Sequence, residues 1–398
     1  MANVSMSSRE RMLAAITRRG PDHVPLSPYM AQGAWYREPL VWQDQFERAE
    51  RLLELGLDPV IEIWLPDVHP DPQVEVRTWR EAANGEVLLT KEYHTPAGVL
   101  RQTVREGDDW CNALHGPWIP TTWGIEKRTE FGMHLFDDWN IARRVEPWVK
   151  GPEDLDKLRY LIRVPGNHVL DEWWMDTQRA LEFARKRNLL TQARRTIVGD
   201  AFQWFCDIPW FMLQLHDAPD FVEEFLAVFQ QWSLKLIELA LDADVDVIQY
   251  RGWYEAPDFW GVAFYQRYLV PLIEKQTKAV HAGGKLQTYL LTQGLGAYAQ
   301  VVDGMQMDCL QGVDPRTLGA GLDDLFDTLG HSKSFWGGVN AEVTLMSDDA
   351  ELIRGEVEQA VQVLGANGGF VLSALLFPAV PVSAIMRMIE AWKGVCGL

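Results

Sequence analysis

Along most of the chain, segments with apolar residues at helical spacing alternate with short apolar runs that are typical of strands. "QDQFERAERLLELGLD" carries Phe46, Ala49, Leu52 and Leu53 at helical spacing and ends at Gly56, which is typical of an amphipathic helix with a glycine stop. The short apolar runs "HVPLSPY" and "PVIEIWL" on either side of it predict two strands. The chain therefore begins as strand, helix and strand.

A different pattern interrupts this succession between about residues 68 and 117. "VEVRTWRE" and "EVLLTKEYHTPAGVLRQTVRE" alternate apolar and polar residues, and Asn84-Gly85 lies between them. Asn-Gly between two alternating runs is a strong local signal for a hairpin. We therefore predict an antiparallel β-hairpin subdomain inserted after the second strand of the main fold.

Six more strand candidates follow: "LTQARRTIVG", "VDVIQY", "KLQTYLL", "GMQMDCL", "SFWGGV" and "GFVLSAL". Helical patterns such as "APDFVEEFLAVFQQWSLKLIELALD" separate most of them. Parallel strands need such crossover connections, so these units predict an α/β fold, a single (β/α)₈ TIM barrel over residues 1–398. An open doubly wound sheet is the alternative, but no Gly-x-Gly-x-x-Gly follows a strand, and we expect no NAD or nucleotide.

The charge and the cysteine content limit which partners and which cellular location we expect for the protein. The 398 residues include 37 basic and 56 acidic side chains, a net charge of -19. This balance argues against nucleic acid or an anionic membrane as a partner, because both require a basic surface. Four cysteines without Cys-x-x-Cys spacing, no signal-peptide pattern and no stretch of membrane-spanning length favour a cytoplasmic protein.

The chain also carries 18 tryptophans, several of them in predicted loops. Core packing accounts for most tryptophans in a protein of this size. A cluster in the loops could instead line a pocket for a flat or hydrophobic ligand, because indole offers both apolar area and a hydrogen-bond donor.

Function in a (β/α)₈ barrel lies at the carboxyl ends of the strands, and this rule selects the candidate site residues. The catalytic candidates are Glu62, Asp200, Tyr250, Arg251, Asp308 and Glu342. The candidates for substrate binding are Gln32, Trp35, Trp64, Trp253, Tyr289 and Asn340. The rule also draws attention to Tyr29, Asp67, Gln203, Glu255 and Ser373.

A carboxylate, a thiol and an imidazole suggest a metal site. Asp308 and Cys309, taken as the end of the strand "GMQMDCL", together with His281 offer the mixed donors that suit zinc. Each residue also has an ordinary explanation: Asp308 as a cap, Cys309 as a small buried side chain, and His281 as a cation favoured by the dipole at a helix end.

Several segments resemble one family. "SSRERMLAAITRRGPDHVPL", "TPAGVLRQTV", "FWGGVNAEVTL" and "GGFVLSALLFPAVPVSAIMRMIEAWK" are similar to stretches of uroporphyrinogen decarboxylase-like proteins, from about Ser7 to Lys393. The resemblance implies a (β/α)₈ barrel. It also implies one of two activities, the decarboxylation of the heme pathway or methyl transfer linked to a corrinoid.

True uroporphyrinogen decarboxylase is disfavoured by one motif of the family, Met-Arg-Gln-Ala-Gly-Arg-Tyr. In "MAQGAWY" the residues Met30, Gln32 and Tyr36 match it, but Ala31 and Trp35 stand at the arginine positions. Guanidinium groups are the natural partners of a substrate rich in carboxylates. The loss of both makes this chain resemble the methyltransferases more than the decarboxylase.

Thiol methylation is disfavoured by a second motif. Members with that activity hold zinc with His-x-Cys and a further cysteine. His281 matches the histidine, but Gly283 replaces the cysteine and "SALLFP" contains none.

The members that remove methyl groups from ethers remain. The resemblance then implies a methyltransferase that moves a methyl group from a methoxylated substrate, aromatic ones included, to a corrinoid (cobalamin) on a partner protein. Zinc is an optional metal and a homodimer a further expectation. An acid or a Lewis acid on the ether oxygen would assist, because an alkoxide is a poor leaving group.

Two alternatives from other classes stay open. One is a decarboxylase or lyase acting on a carboxylated small molecule, with Arg251 holding the carboxylate and Asp200 or Tyr250 in acid-base chemistry. The other is a non-catalytic ligand-binding barrel, because a fold by itself does not specify chemistry.

Overall fold

The computed structural model describes residues 5–29, 40, 42–106, 133–136, 138–377 and 380–398. In this part of the chain the strands are β1 (Val60–Trp64), β2 (Glu75–Ala83), β3 (Glu86–Thr95), β4 (Gly98–Glu106), β5 (Arg144–Glu146), β6 (Leu190–Ile197), β7 (Val247–Arg251), β8 (Leu286–Leu290), β9 (Cys309–Val313), β10 (Ser334–Val339) and β11 (Phe370–Ala374).

Helices connect most of the strands. They are α1 (Ser8–Ile16), α2 (Gln45–Glu54), α3 (Asp138–Arg143), α4 (Asp154–Leu158), α5 (Asn167–Arg187), α6 (Ala201–Phe205), α7 (Ile208–Asp217), α8 (Pro219–Asp242), α9 (Pro257–Phe264), α10 (Val270–Ala282), α11 (Leu295–Asp303), α12 (Leu322–Leu329), α13 (Ala350–Leu364) and α14 (Val382–Cys396), with π-helical turns at Tyr265–Leu269 and Ala341–Leu345. None of these helices is both long enough and apolar enough to span a membrane.

The main sheet is parallel and follows the order β1-β6-β7-β8-β9-β10-β11. Residues 25–29 extend it beyond β11: the amide of Ser27 donates to Leu372 O at 2.9 Å, and the amide of Tyr29 donates to Ala374 O at 3.0 Å. On their other side, Asp58 N donates to Leu26 O at 2.9 Å, just before β1. The predicted α/β class is confirmed, and closure into a complete eight-stranded barrel stays a prediction.

A second, antiparallel sheet lies between β1 and β6 in the sequence, with the order β2-β3-β4-β5. Asn84 and Gly85 join β2 to β3, with φ angles of 54° and 81°. Both angles fall in the left-handed region, which the two central residues of a type I′ hairpin turn require. Residues 107–117 of the predicted insertion lie outside the described residues.

The sheet strand near residue 309 begins later than the sequence pattern predicts. "GMQMDCL" reads as a strand, but β9 runs from Cys309 to Val313. Residues 304–308 instead connect α11 to the start of β9, and the alternating methionines of this connection, Met305 and Met307, are buried in the core. The predicted strand was therefore wrong by several residues, which moves Asp308 to the opposite end of the sheet.

The two faces of the parallel sheet pack against different partners, because side chains alternate along each strand. One face is covered by the long helices. The other, here called the α1 face, packs the first residues of its strands against Met12, Ala15 and Ile16 of α1. Apolar side chains thus close the α1 face at the end where the strands begin, here called the amino edge. The end where the strands stop is called the carboxyl edge.

Helix α1 is fixed through its first turn. Ser7 and Glu10 form a capping box at its start. Arg11 donates to Asp22 at 2.6 Å and to Asp58 at 2.7 Å, so the helix is tied to the loops before the first strands. Burial raises the pKa of Asp58 to about 6.

Candidate active site

An ion pair occupies the carboxyl edge between β6 and β7. Arg251 Nη1 contacts Asp200 Oδ2, and the amides of Trp253 and Tyr254 donate to the same carboxylate at 3.0 and 2.6 Å. Asp200 has no exposed side-chain surface, whereas the Arg251 side chain is 18% exposed. The buried carboxylate therefore fixes the direction of a guanidinium that reaches toward solvent.

Aromatic rings surround the Arg251 guanidinium. Its Cζ lies 4.9 Å from the ring centre of Trp204, 5.7 Å from that of Trp253 and 5.5 Å from that of Tyr254. Trp253 also meets Tyr29 edge to face at 6.4 Å. Rings and a guanidinium on one surface suit a flat ligand that carries an anionic or electron-rich group.

A second group of charges lies inside the sheet at β1. Glu62 Oε1 is 2.9 Å from Arg194 and 3.8 Å from Arg48, and Trp64 Nε1 donates to Glu62 Oε2 at 3.2 Å. The carboxylate and both guanidinium groups are buried. Glu62 therefore orients Arg194, whose Cζ lies 4.4 Å from the ring centre of Tyr29.

A layer of amides connects Arg194 to the neighbouring strands. Arg194 Nε donates to Gln192 Oε1 at 3.2 Å. Gln192 in turn donates to Thr288 and to Gln311 Oε1, each at 3.1 Å, and Gln249 donates to the same Gln311 oxygen at 2.6 Å. This fully buried network fixes side chains of β6, β7, β8 and β9 below the carboxyl edge.

A β-bulge directs two consecutive arginines of β6 to different partners. The β6–β7 register shifts between Ala193 and Thr196, and Arg195 has a φ of 113°, which is strained for a residue with a side chain. Arg195 Nη1 pairs with Asp67 Oδ2 at 2.6 Å, while Arg194 turns toward Glu62. Three arginines thus gather near the carboxyl edge.

A narrow cavity of about 10 Å³, with room for about one water molecule, lies where β9, β10 and β11 end. Its lining includes Tyr29, Gln311, Asp314, Trp336 and Ser373. The backbones of β9 and β10 approach closely here because Gly337 has no side chain; a Cβ would overlap the backbone of Val313. Gln311 joins this cavity to the amide layer below Arg194.

Asp314 is the acid at the edge of this cavity. Asn340 Nδ2 donates to Asp314 Oδ2 at 2.8 Å, and the Arg316 amide donates to Oδ1 at 2.9 Å. Burial nevertheless raises the pKa of Asp314 above its ordinary value. A carboxyl group of this kind retains a proton to a higher pH than an exposed aspartate does.

Comparison with known proteins places the fold and the site in a family context. Residues 206–395 match the uroporphyrinogen decarboxylase (URO-D) family. The chain is therefore similar to this family over its second half. No curated protein matches it in sequence.

One solved structure shares the fold over nearly the whole length of the chain. A methyltransferase from Methanosarcina mazei has a TM-score of 0.56 at 15% identity, over 98% of this chain and 99% of that one. A B12-independent methionine synthase from Shewanella sp. W3-18-1, in complex with selenomethionine, has a TM-score of 0.42 at 9% identity, over 94% and 97%.

The predicted site residues separate into groups in the structure. Asp200, Arg251 and Trp253 lie together, as do Glu62 and Trp64, and Asn340 holds Asp314. Glu342 is exposed on the π-helical turn after β10. Gln32 and Trp35, with the rest of "MAQGAWY", lie outside the described residues.

Two predicted residues face away from this site. Tyr250 and Tyr289 are fully buried on the helix-covered face of the sheet, where both hydroxyls donate to Glu255, at 2.6 and 2.7 Å. They alternate with Gln249 and Thr288, which point to the α1 face, so a direct contact with substrate at the carboxyl edge was the wrong placement for them.

The predicted metal residues lie at the amino edge. His281 Nε2 is 2.9 Å from Asp308 Oδ2, which also accepts from Gln287 N at 2.8 Å. Cys309 begins β9 among the apolar side chains around α1, and burial raises the pKa of its thiol to about 12. The predicted placement of Asp308 and Cys309 at the carboxyl end of their strand was wrong, whereas His281 precedes its strand, as the sequence indicates. The described residues contain no group of three or more His, Cys, Asp or Glu side chains arranged to hold a metal.

The most informative residue that the sequence pattern missed is Asp314. It follows β9 directly in "GVDP", the place that the rule for carboxyl ends selects. The misplaced strand end at Leu310 concealed it. The proline after the aspartate, a typical strand-ending residue, was the available signal.

Proposed function

We propose that this protein transfers a methyl group from a small methoxylated substrate, with an aromatic ring as the preferred scaffold, to a corrinoid on a partner protein. The observation that carries the proposal is Asp314, an acid with a raised pKa that borders a cavity at the carboxyl edge. The site that we propose also includes the Arg251 surface with its aromatic rings.

The chemistry requires a proton at the ether oxygen. The methyl–oxygen bond breaks, its electron pair stays on oxygen, and the oxygen takes a proton to leave as a hydroxyl group. Asp314 would donate this proton, and Asn340 would hold the resulting carboxylate in place. A reduced corrinoid would supply the electron pair for the new bond to the methyl carbon.

Substrate binding would use the other side of the same edge. A ring would lie against Trp253 and Tyr254, and an anionic substituent would approach Arg251. The buried Asp200 keeps that guanidinium in one direction, which lowers the entropy cost of binding.

The structure gives no support to zinc as a participant. His281 and Asp308 lie at the amino edge, and Cys309 faces the apolar side of α1. A cysteine at position 283, as in thiol-methylating relatives, would overlap Leu241. The residues described here do not fit a zinc ion, and we assign no step to a metal.

The decisive experiment follows methyl transfer to free cob(I)alamin by absorbance. Purified protein is mixed with 4-methoxybenzoate, 2-methoxyphenol and unsubstituted anisole in turn, and the phenolic product is identified by mass. We expect transfer with at least one methoxyarene and its loss in Asp314→Asn. Absence of transfer from every compound, with cob(I)alamin and with reduced corrinoid proteins alike, would sink the proposal.

A decarboxylase or lyase is the second candidate. The observation that favours it is the gathering of Arg194, Arg195 and Arg251 near one edge, which suits a carboxylated substrate. Release of CO₂ from a panel of small aromatic acids, without added corrinoid, distinguishes it. A protein that binds 4-methoxybenzoate but converts none of these compounds would be the third option, a ligand-binding barrel.

A further inference from the structure

Glu255 is a fully buried carboxyl group directly behind the Asp200–Arg251 pair. Its Oε1 accepts from Gly199 N at 3.0 Å and from the Tyr250 hydroxyl at 2.6 Å, and its Oε2 accepts from the Tyr289 hydroxyl at 2.7 Å. These donors belong to β7, β8 and the residue pair that follows β6. One side chain therefore joins the carboxyl ends of three neighbouring strands, and the proposed chemistry assigns it no role.

The space around this carboxyl group is closed by two glycines. A Cβ on Gly199 or on Gly252 would overlap the Glu255 side chain. Both positions therefore require glycine for the carboxyl group to lie where it does. The packing leaves no room for Glu255 to adopt another position without moving one of the two backbone segments.

The turn after β7, which carries Glu255, also binds Asp200 of the ion pair through its backbone amides. Glu255 N donates to Gly252 O at 3.1 Å, which closes the turn after β7. The amides of Trp253 and Tyr254, inside this turn, donate to Asp200. Thus the turn binds Asp200 through its amides, while its own Glu255 binds Gly199, the neighbour of Asp200 in the chain.

The charges around Glu255 disfavour its ionised form. Burial, and next the charge of Asp200, raise the pKa of Glu255 to about 8. The groups that face it are the hydroxyls of Tyr250 and Tyr289 from the sheet, with the Tyr265 hydroxyl beyond Tyr289. Arg251, the nearby cation, is already paired with Asp200.

We propose that Glu255 is the positioning residue of this site: its buried carboxyl group locks the turn of residues 252–256 against Gly199, and thereby directs Arg251 and the Trp253 ring toward the substrate. It performs this role in its neutral form. Oε1 then still accepts from Gly199 and Tyr250, while the contact between Oε2 and the Tyr289 oxygen is kept with its direction reversed, because the protonated Oε2 becomes the donor. The link to substrate rests on the proposed function, whereas the lock itself does not.

Three variants separate this role from simple packing. Glu255→Gln reproduces the neutral carboxyl group, because its amide nitrogen can donate to Tyr289 as a protonated oxygen would. Glu255→Ala removes every contact. Gly199→Ala keeps Glu255 and displaces it by overlap. Glu238→Gln, at an exposed glutamate of α8 outside the proposed site, is the matched control.

The first readout needs no ligand. Hydrogen exchange of the Trp253 and Tyr254 amides is measured across the range around the raised pKa and corrected for the intrinsic effect of pH. We expect protection of the wild type to fall about tenfold per pH unit above that pKa, protection of Glu255→Gln to stay constant, and Glu255→Ala and Gly199→Ala to lack protection at every pH. The Glu238→Gln control should follow the wild type.

The second readout is the dissociation constant of 4-methoxybenzoate without corrinoid, from tryptophan fluorescence. It should rise with pH in the wild type and stay constant in Glu255→Gln. If the compound does not bind at all, the proposed substrate class fails, and the exchange data still decide the role of Glu255. The inference is overturned if Glu255→Gln resembles Gly199→Ala, or if wild-type protection is as constant with pH as that of Glu255→Gln.

Discussion

The two edges of the parallel sheet use the same kinds of residues for different purposes. At the carboxyl edge, Asp200 is fully buried and holds Arg251 against three aromatic rings. At the amino edge, Asp308 contacts His281 with 23% and 34% of their side-chain surfaces exposed. A buried carboxylate with several donors fixes its partner, whereas an exposed pair competes with water.

The buried ion pairs give a closer comparison. Arg11 and Asp58 at the amino edge are as buried as Arg251 and Asp200 at the carboxyl edge. The first pair, however, ties α1 to the loop before β1, while the second lies beside the partly exposed ring of Trp253. Burial of a charge pair by itself therefore does not indicate a functional site; its surroundings do.

The largest expected effect concerns the two aspartates at the ends of β9. Asp314→Asn should lower kcat of the proposed methyl transfer by about 10²–10⁴-fold with a small change in KM, because it removes a proton donor and keeps the shape. Asp308→Asn, one strand length away, should leave kcat within about twofold. Steady-state kinetics on the best methoxyarene measure both. Equal losses in the two variants would remove the distinction between the edges.

Breaking the buried ion pairs should have the next largest effect. Arg251→Met and Arg11→Met each leave a buried aspartate without its guanidinium, which costs about 3–5 kcal/mol in the free energy of unfolding. Urea denaturation measures this loss. Only Arg251→Met should also weaken binding of 4-methoxybenzoate. Undiminished binding by Arg251→Met would exclude its guanidinium from the binding surface.

The pH dependence of stability should separate the two edges as well. The pKa values of Asp58 and Glu255 are raised in the folded chain, to about 6 and about 8, so their neutral forms stabilise the fold. This contribution is complete below their unfolded values, and it is lost as pH rises through the folded ones, by at most about 1.4 kcal/mol per pH unit and group.

Variants at Asp58 and Glu255 show which part of the pH dependence of stability each acid causes. Asp58→Asn should flatten the dependence of the free energy of unfolding between about pH 4 and 6, and Glu255→Gln should flatten it over a wider range that extends to about pH 8. Urea denaturation at a series of pH values provides the measurement. If the pH dependence of Glu255→Gln is parallel to that of the wild type, Glu255 is not neutral in the folded protein.

The smallest effect is expected at the exposed pair of the amino edge. His281→Ala should change the free energy of unfolding by about 0–1 kcal/mol, because exposed ion pairs contribute little. Thermal unfolding with and without added zinc checks this and also tests the metal prediction for His281, Asp308 and Cys309. A clear zinc-dependent rise in Tm that His281→Ala abolishes would restore a metal site at this edge.

Much of the fold follows from the sequence pattern. The period of the apolar residues predicts the α/β class, the helix at residues 45–54 and most of the parallel strands, because burial on one face imposes that period on each element. The pattern failed at residues 304–313, where Met305 and Met307 are buried in a connection. Apolar character reports burial, and it does not distinguish a strand from a buried turn.

The candidate site was predictable only in part. Asp200, Arg251 and Trp253 follow from the rule for carboxyl ends. That rule cannot assign a side chain to one face, so Tyr250 and Tyr289 were placed with the substrate although they lie beneath the ion pair with Glu255. The β-bulge at Arg195 has no signature in the sequence either, because it depends on how β6 pairs with β7.

By itself, the sequence determined the fold class, the family resemblance and the absence of the arginine and cysteine motifs that its best-known relatives use. These are local properties: periodicity, motif identity and charge are read along the chain. The tertiary structure decided which acids face solvent, which hold arginines and which retain a proton. Protonation and direction depend on burial and on partners that are distant in sequence, as Gly199, Tyr250 and Tyr289 are for Glu255, and only folding brings these together.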